Sequence, residues 1–140
     1  MRQFEFYIEK KDVLPRQKDE ALAKALLKDT HERFAFAEKQ ELNLATAKYV
    51  LENAYEALRE AIDARMALDG LKSYSHEATI AYLQKFKQFN LAELNTLDIL
   101  RRKRNGIKYY GENVDTDDAE QALIFSKKIL PRIIELSKKN

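Results

Sequence analysis

The amino-acid sequence predicts an all-α protein, an antiparallel up-and-down bundle of about four or five helices. Its 140 residues include only 3 glycines and 2 prolines, far fewer turn-forming residues than a β-rich chain of this length needs. Apolar residues recur at intervals of three and four over long stretches, most clearly between residues 45 and 68. Residues that end helices follow these stretches, as Gly70 does here.

The composition is that of one ordinary globular domain, with 45% hydrophobic and 34% charged residues. The absence of cysteine excludes disulfides, thiolate zinc sites and cysteine nucleophiles. No apolar run is long enough for a signal sequence or a membrane span, so we expect a cytoplasmic protein without a membrane partner. The formal net charge of +2 is too small to indicate nucleic acid by itself.

Residues 1–15 are predicted to form an N-terminal arm that precedes a single helical domain at residues 16–140. Phe4, Phe6 and Ile8 alternate with polar residues before a proline interrupts the pattern. Alternation with a period of two is typical of a strand, and proline within sheets is confined mainly to their edges. We therefore expect either a short edge strand or an extended arm.

Each predicted helix has an apolar face and a capping residue near one end. The helices are expected at residues 16–42, 45–68, 75–86 and 91–109, and a fifth begins at Asp115 or Thr116. Ser75 and Asn90 are suited to cap the third and fourth, because their side chains accept the free N–H groups of a first turn. Acidic residues follow in the first turn of the fifth helix, as the helix dipole favours.

The most informative segment lies at the end of the fourth helix, where 5 of the 8 residues at 101–108 are cationic. One stripe of this helix carries Leu97, Leu100, Arg104 and Ile107. Arg104 therefore shares its line with residues that should be buried. A guanidinium taken out of water needs a partner group, an anion or a subunit boundary.

The same segment has the groups that hold a phosphate. Arg104 offers a planar fork of donors, Asn105 an amide beside it, and Tyr109 a phenol about one turn onward. Arg101 and Lys108 add positive charge on either side. The candidate phosphate- or nucleotide-binding residues are therefore Arg104, Asn105, Arg101, Lys108 and Tyr109.

The histidines and carboxylates indicate neither a metal site nor a cofactor. His31 stands among charged residues and is interpreted as solvent-facing. His76 opens the third helix, where the dipole disfavours a charged imidazole, and is interpreted as a neutral capping residue. Neither histidine has a second ligand at metal-binding spacing. The carboxylates on the helix faces are expected to be solubilising charge.

The end of the fourth helix reads Arg104-Asn105-Gly106-Ile107-Lys108-Tyr109, and the third begins with Ser75-His76-Glu77-Ala78. The first segment resembles the Arg-Asn-x-x-x-His motif, and the second the Ser/Thr-His element, of the HEPN superfamily. These helical domains are named for higher eukaryotes and prokaryotes nucleotide-binding. The order of helices is similar too, with a long second helix rich in alanine and tyrosine. The likeness covers about residues 16–138.

The resemblance bears directly on catalysis. Catalytic HEPN proteins are metal-independent ribonucleases in which the motif histidine transfers protons and the arginine binds phosphate. Tyr109 stands at the histidine position, and a phenol, with an ordinary pKa of about 10, is a poor general base at neutral pH. Family members with tyrosine there look like binding or partner domains. We therefore expect a non-catalytic domain that binds a nucleotide or an RNA phosphate through Arg104 and Asn105.

Two alternatives stay open. In the first, the chain is a metal-independent HEPN ribonuclease with a degenerate motif, in which Tyr109 or His76 transfers the proton. In the second, it is a purely structural interaction module whose basic segment meets carboxylates. The acidic residues available for that pairing are Asp115, Asp117 and Asp118.

The resemblance also implies partners. HEPN domains commonly dimerise with their motif helices facing each other, which implies a homodimer with both copies of Arg104 in one cleft. Many are encoded beside a minimal nucleotidyltransferase and act with it in toxin–antitoxin pairs, which implies such a partner for this chain. No cofactor is implied.

Overall fold

Six α-helices and one two-stranded sheet form the fold of residues 1–138, the part of the chain that the computed structural model describes. The helices are α1 (Phe4–Glu9), α2 (Glu20–Lys39), α3 (Ala47–Leu68), α4 (His76–Tyr82), α5 (Leu91–Tyr110) and α6 (Thr116–Leu136). The strands are β1 (Val13–Pro15) and β2 (Leu71–Ser73). This largely helical content confirms the all-α prediction. The last two residues of the domain expected at 16–140 lie outside the described residues.

Helix α3 lies at the centre of the bundle. It packs mainly against α2 and α6, and it also contacts α4, α5 and β2. Its large side chains Tyr55, Leu58 and Ile62 are fully buried, and alanines such as Ala54 and Ala61 fill the space between them. Burial of this apolar surface is the main driving force for the fold. Polar side chains in the middle of α3, such as those of Glu56 and Glu60, therefore lie close to the core.

The capping residues act as the sequence predicts. Asn90 and Asp115 each form a capping box at the start of α5 and α6. The carboxylate of Asp115 accepts a hydrogen bond from the backbone N–H of Asp118 (2.8 Å). The hydroxyl of Ser75 accepts from the N–H of Ala78 (3.2 Å) at the start of α4. Local sequence signals thus decide where the last three helices begin.

Asp115→Ala is expected to lower the free energy of unfolding by about 0.5–2 kcal/mol, because the N–H of Asp118 loses its acceptor. Urea denaturation followed by circular dichroism measures this change. Glu120→Ala, at an exposed position of the same helix, is the matched control and should change stability by less than about 0.5 kcal/mol. Equal losses in the two variants would contradict the capping role.

The N-terminal segment differs from the prediction. Residues Phe4–Glu9 form the short helix α1 rather than an edge strand or an extended arm. Phe4 and Tyr7 lie one helical turn apart and are both buried, so a helical spacing, not a strand alternation, sets the inner face. The strand begins later, where β1 pairs antiparallel with β2 in the register Val13↔Ser73.

Helix α2 begins at Glu20 rather than at residue 16. The N–H of Arg16 donates to the carbonyl of Gly70 (2.8 Å), and the N–H of Asp19 donates to the carbonyl of Ala67 (3.1 Å). These bonds hold the segment before α2 in a non-helical conformation against the end of α3. The difference arises from contacts that are distant in sequence.

Helix α4 is also shorter than predicted, because it ends at Tyr82 and continues as a 3₁₀ turn at Leu83–Lys85. Helix α5 ends at Tyr110 and is capped by Gly111, whose φ of 63° is in the left-handed region that glycine adopts without strain. With the short α1 included, the described residues contain six helices instead of four or five. None of these helices has the length and apolar character that crossing a bilayer requires.

Candidate functional site

Arg104 lies on the buried face of α5, as its spacing predicts. Leu97 and Leu100 on the same face are buried, and Arg104 itself is only 8% exposed. A charge at this depth is unfavourable unless groups of the protein or a ligand compensate it. The surroundings of this guanidinium therefore define the candidate site.

The partner of Arg104 is Glu56, which reaches it from α3. Its Nη2 lies 3.0 Å from Oε1 of Glu56, and its Nη1 donates to the side-chain oxygen of Asn105 (3.4 Å). The guanidinium also stands 6.0 Å from the centre of the Tyr55 ring. The Nε atom is buried and has no hydrogen-bond partner within residues 1–138. The two Nη groups of Arg104 are thus held in place, and its Nε–H remains available to donate a hydrogen bond.

Glu56 begins a row of alternating charges along α3. Its Oε2 accepts from Nη2 of Arg59 (2.6 Å), and Nη1 of Arg59 donates to Asp63 (2.6 Å). Burial alone would raise the pKa of Glu56, but the hydrogen bonds from Arg59 and the charges of Arg59 and Arg104 outweigh it. They leave the pKa of Glu56 below its ordinary value. Glu56 is therefore an anion at neutral pH.

His76 joins the site from the start of α4. Ser75 is the cap of this helix, so the interpretation of His76 itself as the capping residue is wrong. Its Nδ1 lies 3.3 Å from the hydroxyl of Tyr55. Burial, with the charges of Arg59 and Arg104, lowers the pKa of His76 to about 4. The imidazole is therefore neutral at physiological pH, as the sequence predicts.

Arg101 of α5 lies near the start of α4, but carboxylates already bind its guanidinium. Its Nε donates to Asp98 (2.8 Å), and its Nη2 lies 3.6 Å from Glu77. Arg102 donates to the other oxygen of Asp98 (2.8 Å). The positive charge of this turn is therefore largely balanced within the chain.

Lys108 and Tyr109 occupy the exposed last turn of α5. Tyr109 is 64% exposed, and the Nζ of Lys108 lies 5.6 Å from the centre of its ring. The buried Gly106 allows the Glu112 carboxylate to lie against this turn, since a Cβ at that position would collide with it. Apart from Arg101, the candidate residues thus divide into an inner pair, Arg104 and Asn105, and an outer pair, Lys108 and Tyr109.

The acidic first turn of α6 pairs with Lys103, one cation of the basic segment, and not with Arg104. Asp118 lies 3.2 Å from the Nζ of Lys103, whereas Arg104 turns inward to Glu56. Asp115 is occupied as the helix cap. The pairing expected between the basic segment and this acidic turn is therefore made by Lys103, and Arg104 pairs with a carboxylate of α3 instead.

Sequence reasoning missed the contribution of α3. The expectation that carboxylates on helix faces only solubilise the chain is wrong for Glu56 and Glu60, which lie between helices. The available signal was the spacing of Glu56, Arg59 and Asp63 beside the alanine-rich face of one helix. His31 is exposed on α2, as predicted. Within residues 1–138, no group of three metal-ligating side chains is placed to hold a metal ion.

The chain is an all-α bundle in which the last turns of α5 and the start of α4 meet over a charged face of α3. Among known proteins, the chain matches no protein-family model and no curated sequence.

Proposed function

We propose that this chain is a HEPN-type helical domain that binds an RNA or nucleotide phosphate through Arg104 and Asn105 without cleaving it. The observation that carries the proposal is the buried Arg104 guanidinium, whose Nε has no hydrogen-bond partner among residues 1–138. The two segments that resemble HEPN elements also converge on Tyr55, since Arg104 and His76 both approach this side chain.

The binding mode follows from the division of the site. Glu56 and Asn105 hold the Arg104 fork in a fixed orientation, so less conformational entropy is lost when a phosphate oxygen accepts from it. A bound phosphate reaches the buried Nε when the exposed end of α5 shifts to admit it. Lys108 attracts the anion at the surface, and Tyr109 offers its ring and hydroxyl beside it.

The protonation states favour binding over catalysis. An effective general base has a pKa near the working pH, and the pKa of about 4 makes the His76 imidazole a weak base. Tyr109, at the position of the family's histidine, carries a phenol instead of an imidazole. The chain is therefore a binding domain in this proposal.

The ribonuclease is the second candidate, and the closeness of His76 to the Arg104 charge favours it. A phosphate bound at Arg104 would raise the pKa of His76 toward neutrality and restore its basicity. Incubation of the purified protein with RNA and a chelator tests this candidate. Metal-independent cleavage that is lost in His76→Ala or Tyr109→Phe would replace the binding proposal by the enzyme.

The HEPN resemblance extends the proposal to assembly. Ile99 and Tyr110 are exposed apolar side chains on α5, and a homodimer that pairs the α5 helices would cover them. A minimal nucleotidyltransferase in a toxin–antitoxin pair is the further partner that we propose on the resemblance alone. Light scattering at micromolar concentration is expected to give the mass of a dimer, and a monomer would contradict this part.

The binding proposal is tested with a short fluorescein-labelled single-stranded RNA and fluorescence anisotropy. We expect the affinity of the wild type to fall steeply as KCl rises from about 50 to about 200 mM. The double variant Arg104→Met/Glu56→Gln, which leaves no uncompensated carboxylate, should bind at least about tenfold more weakly. The control Lys127→Gln removes an exposed charge on α6 and should stay within about twofold. Equal binding by the double variant and the wild type would reject the proposal.

A further inference from the structure

A second concave surface lies apart from Arg104, between the segment before α2 and the end of α3. It has a volume of about 330 Å³ and is lined by Arg16, Asp19, Leu22, Ala67, Leu71 and Lys72 among others. A smaller space of about 130 Å³ adjoins it and shares Leu22, Ala67, Leu71 and Lys72. We refer to the two together as the α2–β2 cleft. Its size is within the range of small-molecule sites.

The walls of the α2–β2 cleft are held in place by backbone bonds. The N–H of Arg16 donates to the Gly70 carbonyl (2.8 Å), and the N–H of Asp19 donates to the Ala67 carbonyl (3.1 Å). Gly70 has a φ of 74°, and a Cβ there would lie 2.9 Å from the Arg16 carbonyl oxygen. The segment before α2 therefore sits directly on the turn after α3, and the cleft is preformed.

The floor of the cleft is apolar and includes a side chain that the fold leaves uncovered. Leu22 is 41% exposed although it faces the buried Ala67 and the half-buried Leu71 across the cleft. A ligand with an apolar body would remove this surface from water, which stabilises the complex by about 25 cal/mol for each Å² buried.

Cations outnumber carboxylates in the lining of the cleft, which has Arg16, Arg59 and Lys72 against Asp19 and Asp63. Arg16 and Lys72 form no ion pair within the described residues 1–138, although both line the cleft. Asp19 caps α2 through the N–H of Leu22 (2.9 Å), and Asp63 pairs with Arg59 (2.6 Å) and also interacts with the charge of Lys72. The Arg16 guanidinium is oriented by hydrogen bonds to the Pro15 carbonyl and the Tyr74 hydroxyl.

We propose that the α2–β2 cleft binds a small organic carboxylate whose apolar body packs on Leu22 and Leu71 and whose head group pairs with Arg16 and Lys72. The apolar floor selects the body, and Arg16 and Lys72 at the rim select the charge. Arg104 does not line this site, although Arg59 and Asp63 of the charged row on α3 line its smaller part, and the proposal does not depend on the proposed function.

The probe is 4-phenylbutyrate, compared with the uncharged 4-phenyl-1-butanol, in a titration of the full chain followed by two-dimensional ¹H–¹⁵N NMR. We expect saturable shifts of the Leu22, Ala67 and Lys72 amides, with the carboxylate bound at least about fivefold more tightly than the alcohol. Arg16→Gln and Lys72→Gln should each remove most of this preference. Lys39→Gln, at the far end of α2, is the control and should preserve it.

A variant that fills the α2–β2 cleft distinguishes binding in the cleft from nonspecific binding elsewhere. Leu22→Trp places a larger side chain at an exposed position, so the fold tolerates it, and it should abolish binding of both probes at the cleft. Equal affinities for the carboxylate and the alcohol would overturn the proposed anion selectivity. Shifts confined to other regions, or no saturation up to about 10 mM, would overturn the site itself.

Discussion

Replacement of Arg104 by methionine is expected to lower the free energy of unfolding by about 1–3 kcal/mol, the largest effect of a single substitution at the site. Methionine fits the apolar stripe beside Leu97 and Leu100, but Oε1 of Glu56 loses its cation in a poorly hydrated position. The loss is limited because Arg59 still bonds the other oxygen of Glu56 (2.6 Å). Urea denaturation at neutral pH measures it.

The double variant Arg104→Met/Glu56→Gln identifies the cause of that loss. Glutamine has the shape of glutamate without its charge, so more than half of the lost stability should return. Lys127→Met, which removes an exposed cation with a long 3.9 Å pair to Glu38, should change stability by less than about 0.5 kcal/mol. A double variant no more stable than Arg104→Met would show that lost packing, not an uncompensated carboxylate, is responsible.

Glu60→Gln is expected to make the protein more stable than the wild type at pH 8 by about 1–2 kcal/mol. Glu60 is buried on α3 and faces Asp29 and Arg33 of α2, with Glu56 and Arg59 beside it on its own helix. Burial and the neighbouring Asp29 carboxylate raise the pKa of Glu60 to about 7, despite the opposing charges of Arg33 and Arg59. Ionised Glu60 is thus an unfavourable group that glutamine replaces by a neutral amide.

The direction of the pH dependence follows from this pKa. Because the folded state holds the Glu60 proton more tightly than the unfolded chain, this group's stabilising contribution is complete below about pH 4.5 and is lost as pH rises through about 7. Urea denaturation between pH 5 and 8 should show a smaller loss of stability in Glu60→Gln than in the wild type. The exposed Glu38→Gln should follow the wild type. If Glu60→Gln were less stable at pH 8, Glu60 would be an ionised partner of Arg33 at 3.2 Å.

The parts of the fold that local signals determine could be predicted from the sequence. The capping boxes at Asn90 and Asp115 place the starts of α5 and α6 correctly, because a cap needs only residues within one turn. Helix α1 could not be predicted, since the alternation of Phe4, Phe6 and Ile8 fits a strand until packing buries Phe4 with its neighbour one turn on. The late start of α2 likewise depends on distant hydrogen bonds.

The candidate site was predictable only in its α5 half. Spacing alone places Arg104 among buried leucines, because helical periodicity is a local property. Its partner Glu56 depends on how α5 packs against α3, and no local pattern indicates that packing. The same holds for Tyr55, which brings Arg104 and His76 together from two separate helices.

Binding of a phosphate to the Nε–H of Arg104 can be observed by arginine side-chain NMR. The Nε–H resonance of Arg104, assigned by its absence from the Arg104→Met spectrum, is followed during titration with a short single-stranded RNA. Arg132, already paired with Glu93 near the far end of α6, serves as the internal reference. We expect the Arg104 resonance to shift until binding is saturated and its Nε–H proton to exchange more slowly with water, while the Arg132 resonance does not move. An Arg104 resonance that is unchanged when the RNA is fully bound would contradict the account.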